Sequence, residues 1–280
     1  MNTEIFLCTH AKDFPWLKYC LRSIAKFATG FAGVTIVVPL ADFLLLQTLV
    51  EETVPDLGFH VQCFTGEEWP GLGMLWHMNE IMHADCYCPG ADFIAHLDPD
   101  CVFTAPVSPA TFMVSSPSTL NHQPSTLQQQ PILRFEKFSI IGLRHPPVLR
   151  WQECTARCLP FPVENETMRC HPSVYHRALY AAARNQMVLK TGQPVPAYIR
   201  SCQNTFPQGF CEFVTLGNVA LQLFRHLYFP IEQLNDHVIP SNHLQQFWSH
   251  GALDQPQPIF VLGEQKVVVP IEMIKQLGLA

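Results

Sequence analysis

Short β-rich runs alternate with helical periodicity through the first hundred residues, and this alternation restricts the fold most. Residues 4–9 read as a strand, and residues 14–27 as a helix with Leu17, Leu21, Ile24 and Phe27 on one face. Residues 34–38 form a second strand, stopped by Pro39, and residues 41–52 a second helix. A third strand over 59–64, a third helix over 72–84 and a fourth strand over 92–97 follow. Strands that alternate with helices pair in parallel under covering helices, so the expected class is α/β with a Rossmann-like N-terminal half.

The pattern loosens after residue 100. Residues 102–107 suggest another strand, and residues 108–130 are rich in Ser, Thr, Gln and Pro. That composition suits a long loop or insertion, either a lid or a plain surface connection. Helical periodicity returns at 147–158, 175–189, 212–224 and 270–279, the third of these soon after the turn Pro207-Gln208-Gly209. With no internal repeat and no clear linker, the chain is expected to be one domain over 1–280. Its two functional halves span about 1–107 and about 131–280.

Only 14% of residues are charged, and the formal net charge is −6. No Lys/Arg cluster suited to a phosphate backbone is present, which excludes nucleic acid as the expected partner. An acidic protein that takes an anionic nucleotide does so through a divalent cation. The eleven cysteines are odd in number and contain no CxxC pair. Cys86 with Cys88, and Cys154 with Cys158, lack a second pair at zinc spacing, so they read as buried thiols. The first residues offer no basic stretch followed by an apolar one, so no secretion signal is expected. The most apolar run, 34–50, is interrupted by Pro39 and Asp42 and falls short of the about 20 residues a membrane span needs. A cytoplasmic protein with reduced thiols and no membrane anchor is the expectation. On that expectation the sequon at Asn165 carries no meaning.

The chemistry concentrates at Asp98-Pro99-Asp100, between the apolar runs 92–97 and 101–103. Ligands of open parallel sheets bind beyond the carboxyl ends of the strands, where these two carboxylates arrive. Held one residue apart in a sharp bend, they repel unless a cation lies between them. A hard divalent ion favours such oxygens and completes its shell with phosphate.

Three strand–helix units followed by this hydrophobic-Asp-x-Asp-hydrophobic pattern resemble the GT-A class of glycosyltransferases. The resemblance rests on Phe6–His10, the helix over 72–84 and His96–Phe103, covers the first 110 residues well and the remainder loosely. It implies a GT-A-like fold: a nucleotide-binding half, a mixed central sheet and a smaller acceptor-binding half. It implies that Thr9, His10 and Asp13 meet the nucleotide, with His77 also on the donor side. Asp98, Pro99 and Asp100 would form the diphosphate site, and the two carboxylates would hold Mn²⁺ or Mg²⁺, Asp100 most directly. Such enzymes often add a C-terminal histidine to the metal shell. His250 is the candidate, with His237 and His243 as competitors. Glu212, in the segment 208–217 that resembles the acceptor region, would be the base of an inverting transfer.

Weaker signals surround these. Arg169 and His171 are acceptor-binding candidates, against the reading of 164–172 as a capped helix start with a local salt bridge. Trp76 could stack on a sugar or fill the core. The expected function is transfer of a hexose or pentose, xylose included, from a UDP-sugar to a carbohydrate hydroxyl. A sugar nucleotidyltransferase is one rival, but residues 10–15 lack its Gly-rich basic loop. A non-catalytic nucleotide-sugar or glycan-binding protein is the other.

Overall fold

A computed structural model of the chain describes residues 1–53, 60–67, 69–117, 127–168, 171–205, 209–232, 243–247, 252–261 and 264–280. Strand β1 (Thr3–Cys8) leads into helix α1 (Phe14–Phe27), and β2 (Gly33–Pro39) into α2 (Phe43–Thr53). Next come β3 (His60–Gly66), α3 (Gly73–Met82) and the short α4 (Ala84–Tyr87). Strands β4 (Phe93–Leu97) and β5 (Cys101–Phe103) flank the Asp98-Pro99-Asp100 turn. The middle of the chain holds β6 (Met113–Pro117), β7 (Leu127–Lys137), α5 (Phe138–Arg144), α6 (Leu149–Cys158) and β8 (Asn165–Glu166). It continues with β9 (Ser173–His176), α7 (Ala178–Thr191), α8 (Val195–Thr205), α9 (Glu212–Leu223) and β10 (Phe229–Glu232). Last are β11 (Leu244–Gln246), β12 (Gln257–Val261), β13 (Glu264–Val268) and α10 (Pro270–Gln276).

The chain divides into two compact units. One comprises Asn2–Glu68, Ala95–Pro109 and Asn235–Ala280. Its sheet runs in the order β3-β2-β1-β4, and β2 is parallel to both β1 and β3. Six of the seven residues of β2 are buried, because a parallel strand covered on both faces wants a continuous apolar, β-branched run. Gly33 opens β2 where a Cβ would lie 2.8 Å from the His60 carbonyl, so glycine lets β2 and β3 pair from their first residues. Helix α1 accepts Pro15 in its first turn and buries Trp16, Leu17, Cys20, Leu21 and Ile24. The last residues of the chain belong to the same unit. Trp16 stacks on Phe247 at 5.7 Å, Arg22 Nη1 donates to the Leu279 carbonyl at 2.7 Å, and Lys26 Nζ to that of Leu277 at 2.6 Å.

The other unit comprises Met1, Trp69–Ile94 and Ala110–Leu234. Its β7 lies between a parallel β10 and an antiparallel β6, and it also pairs with β8. Helix α9 is buried from Glu212 to Ala220. Thr167 Oγ1 donates to the Phe213 carbonyl at 2.7 Å, and any side chain at Gly217 would collide with Thr167. Arg184 grips Asp85 with two guanidinium nitrogens and donates to the Met82 carbonyl, tying α7 to α3 and α4.

The α/β class and its mixed strand pairing agree with the sequence, but several segments differ. Residues 108–130 are not one long loop. A 3-10 turn over Pro109–Phe112 precedes β6, whose partner is β7 in a register from Met113↔Pro131 to Pro117↔Leu127. Main-chain hydrogen bonds hold such a ladder without an apolar face, so its polar composition concealed it. The expected strand over 102–107 stops at Phe103. Pro106 cannot donate to a ladder, and Val107 makes only an isolated bridge with Ala28. The expected helix over 175–189 divides into β9 and α7, with Tyr175 in the strand. The described residues of 164–172 do not begin a helix. They contain β8, where Glu166 Oε1 accepts from the Met168 N–H at 2.5 Å. Helix α8 begins with Val195-Pro196, and a proline in the first helical turn loses no hydrogen bond there. Among the described residues, no helix is long and apolar enough to cross a membrane, and the ten described cysteines are free thiols.

Candidate functional site

All five residues of β4 are buried, and the His96 ring meets the edge of Phe6 on β1 at 5.3 Å. Beyond Leu97 the chain reverses, and the Cys101 N–H donates to the Asp98 carbonyl at 3.0 Å. Pro99 and Asp100 are thus the central pair of a β-turn, and proline suits the first of those positions. The chain then follows α1. Cys20 Sγ lies 3.9 Å from the Asp98 carbonyl, the Phe103 N–H donates to Ser23 Oγ at 3.0 Å, and the Val107 N–H to the Phe27 carbonyl at 2.8 Å. This path fixes the turn beside the middle of α1.

Strand β11 lies antiparallel to β5 with Gln246 opposite Cys101, and the Phe247 N–H donates to the Asp100 carbonyl at 2.8 Å. Gln246 Nε2 stands 2.9 Å from Asp98 Oδ2 and 3.5 Å from Asp100 Oδ1. Oxygens from both carboxylates therefore converge on one point. Asp98 is half-buried and Asp100 is only 6% exposed, so little water screens their repulsion. Two unit charges about 4 Å apart interact by about 4 kcal/mol at the effective dielectric of a protein surface. A divalent cation at the convergence would relieve that repulsion, and a pair of hard carboxylate oxygens suits Mn²⁺ or Mg²⁺. Burial first, then the charges of Asp100 and Asp98, push Cys20 and Cys101 well above the ordinary thiol range.

Among the described residues, no group of three or more His, Cys, Asp and Glu side chains gathers to hold a metal. His250, and with it His237, lies outside the described residues. His243 is described, and its carbonyl accepts from the Thr104 N–H at 2.9 Å.

The same unit holds the expected nucleotide residues. Thr9 follows β1 and is 2% exposed, and its Oγ1 is buried without a hydrogen-bond partner among the described residues. An unsatisfied buried hydroxyl calls for an explanation, and a ligand atom would supply one. His10 Nδ1 is 2.6 Å from Asp13 Oδ2, but not in line for a good hydrogen bond. Asp42 Oδ2 accepts from the Ala11 N–H at 2.8 Å, so a residue just past β2 fixes the loop that carries His10. Sequence reasoning missed both Asp42 and Gln246. Asp42 had a faint signal, an acidic residue just after the strand-ending Pro39; Gln246 had none.

The remaining candidates lie in the other unit. Glu212 opens α9 at 3% exposure, where the helix dipole favours a carboxylate. Burial first raises the Tyr175 hydroxyl and the Cys211 thiol, and the Glu212 and Glu166 charges add to both. The half-buried His171 ring meets the edge of Phe213 at 5.6 Å. His77 is half-buried on α3, while Trp76 is 3% exposed and belongs to the core instead of a sugar platform. Arg169 lies outside the described residues.

A hollow of about 360 Å³ in the first unit sits at the amino ends of β1 and β2, lined by Ile5, Ile24, Ala28, Phe31 and Val34 among others. Among the described residues its lining contains no titratable side chain, so they offer it no acid or base.

No family model and no curated protein matches the chain. Among solved structures it is similar to the apo form of mouse xyloside xylosyltransferase 1, at 9% identity and a TM-score of 0.38. That match covers 82% of this chain and 85% of the other. It is also similar to the apo structure of the bifunctional glycosyltransferase WbbM, at 12% identity and a TM-score of 0.30. There 42% of this chain is covered and only 23% of WbbM. At these identities and scores the similarity is one of backbone outline alone.

Proposed function

We propose that this protein is a metal-dependent glycosyltransferase of the GT-A type, moving a hexose or pentose from a UDP-sugar to a glycan hydroxyl. The observation that carries the reading is the convergence of Asp98 Oδ2 and Asp100 Oδ1 on a single point in a turn between β4 and β5. Asp98 and Asp100 would hold Mn²⁺ or Mg²⁺, which supplies a Lewis acid for the charge that develops on a departing diphosphate. Pro99 fixes the turn and the spacing of the two carboxylates. Thr9 offers its unpartnered hydroxyl to the nucleotide, and His10, with Asp13 beside Nδ1, offers the remainder of its ring. His77 joins the donor side, and Arg169 and His171 the acceptor side.

Glu212 is assigned as the base. The acceptor oxygen bonds to the anomeric carbon, the bond from that carbon to the diphosphate oxygen breaks, and the hydroxyl proton passes to the Glu212 carboxylate. The nucleoside diphosphate leaves with the electron pair, and the anomeric configuration inverts. Support for this role is a buried carboxylate at the first residue of a helix. Glu212→Gln should retain donor affinity and lower transfer by at least about a hundredfold, the usual scale for general-base catalysis; full activity removes Glu212 from the mechanism.

Incubation with a panel of UDP- and GDP-sugars, xylose included, in Mn²⁺ or chelator tests the whole reading. Metal-dependent release of nucleoside diphosphate supports it. Formation of a nucleoside triphosphate and a sugar 1-phosphate when pyrophosphate is added indicates a nucleotidyltransferase, and tight binding without turnover a binding protein; either result overturns the proposal.

A further inference from the structure

Gln246 touches both carboxylates of the turn, and its backbone is fixed from two sides. Its strand pairs with β5, Gln246 opposite Cys101, and the next residue donates from its N–H to the Asp100 carbonyl. That next residue, Phe247, is fully buried and stacked on Trp16. Sliding β11 along β5 would break this stack, so the adjustable part of Gln246 is its side chain.

A carboxamide presents a nitrogen donor and an oxygen acceptor of almost equal size. Nε2, the donor end, faces Asp98 and Asp100 at 2.9 and 3.5 Å. Half a turn about the last side-chain bond would put Oε1 in its place, beside the same two carboxylates. Hard cations readily accept glutamine carbonyl oxygens alongside carboxylates. The third oxygen is neutral, so two carboxylates and one divalent ion sum to zero charge before the diphosphate arrives. A third carboxylate would repel that diphosphate.

We propose that Gln246 is a ligand of the cation held by Asp98 and Asp100, its carboxamide turning over to exchange Nε2 for Oε1. This rests on the metal-dependent reading above and adds a residue on a strand far along the chain from the turn. The amide thereby has two uses: it bridges the carboxylates through Nε2, and it coordinates through Oε1.

The test is Mn²⁺ binding without nucleotide, followed by the paramagnetic resonance signal of free Mn²⁺. The full chain, first stripped of metal with chelator, is compared with Gln246→Ala, Gln246→Glu and Asp100→Asn. The expected result is saturable binding to the parent protein, at least about tenfold weaker binding to Gln246→Ala, and tighter binding to Gln246→Glu. Melting of the chelated Gln246→Glu protein should begin at lower temperature and recover with Mn²⁺. Unchanged or tighter binding by Gln246→Ala overturns the assignment, because an amide that merely bridges the carboxylates competes with the ion. Should Gln246→Ala fail to fold, Gln246→Glu decides, and unchanged or weaker affinity there has the same meaning. Failure of the underlying reading looks different: the parent protein binds no Mn²⁺, or Asp100→Asn binds it equally well.

Discussion

Thr9 separates a ligand contact from a structural one. Its buried Oγ1 lacks a partner among the described residues, and valine has nearly the same shape without the hydroxyl. Thr9→Val should therefore raise stability without nucleotide by about 1 kcal/mol, the order of an unsatisfied buried polar group. It should also weaken UDP binding by roughly tenfold, the loss of about one good hydrogen bond. Unchanged affinity in calorimetry would make Thr9 a packing residue. Asp98 and Asp100 were legible in the sequence because a turn motif is local: two acids, one proline and two flanking apolar runs. Gln246 was not, because it reaches the carboxylates across 148 and 146 positions and its neighbours carry no pattern. His10 and Asp13 were legible as neighbours beyond a strand, whereas their loop depends on Asp42, 31 positions beyond Ala11.

Helices α1 and α7 give predictions at the scale of single elements. Leu21 is fully buried on α1, the helix that supports β5 and the turn, so Leu21→Ala should cost about 2–5 kcal/mol in denaturant unfolding. A loss under 1 kcal/mol would contradict that packing. His176 Nδ1 accepts from the Ala178 N–H at 3.2 Å, at the start of α7, so the ring must be unprotonated at Nδ1 to cap the helix. Burial first, and Arg177 as well, lower its pKa, while Asp92 opposes them. A base whose folded pKa lies below its unfolded value, about 6.5 for histidine, stabilises the fold above that value. The contribution disappears as the pH falls through the folded pKa. His176→Gln should flatten the decline in melting temperature below about pH 6.5, and an unaltered profile would exclude the cap. The strands and helices of the first 97 residues were readable because their apolar residues recur at the period of each element. β6 and β7 escaped notice for the opposite reason: Ser, Thr and Gln mark no period, and the ladder is held by main-chain bonds. At α7 the helical spacing was read from Tyr175 onward, because a strand of four residues is too short to show a period of its own.

At the scale of the whole molecule, the unit that carries the turn is assembled from three separate parts of the chain. Helix α10 buries Ile274, and the residues beyond it accept hydrogen bonds from Arg22 and Lys26 of α1. Removing residues 270–280 should lower the melting temperature and expose α1 to limited proteolysis, as burial of Ile274 and Leu279 contributes about 1.5–3 kcal/mol each. A truncated chain with the parent melting curve would contradict this assembly. The net charge of −6 bears on the donor as well, since an acidic protein meets a diphosphate on favourable terms only with a cation between them. The most direct measurement is therefore calorimetric titration of UDP into the chelated protein and the Mn²⁺-loaded protein, alongside Asp100→Asn. The account predicts measurable affinity only with Mn²⁺, lost in Asp100→Asn while its melting curve stays cooperative. Equal UDP affinity in chelator, or in Asp100→Asn, would contradict it.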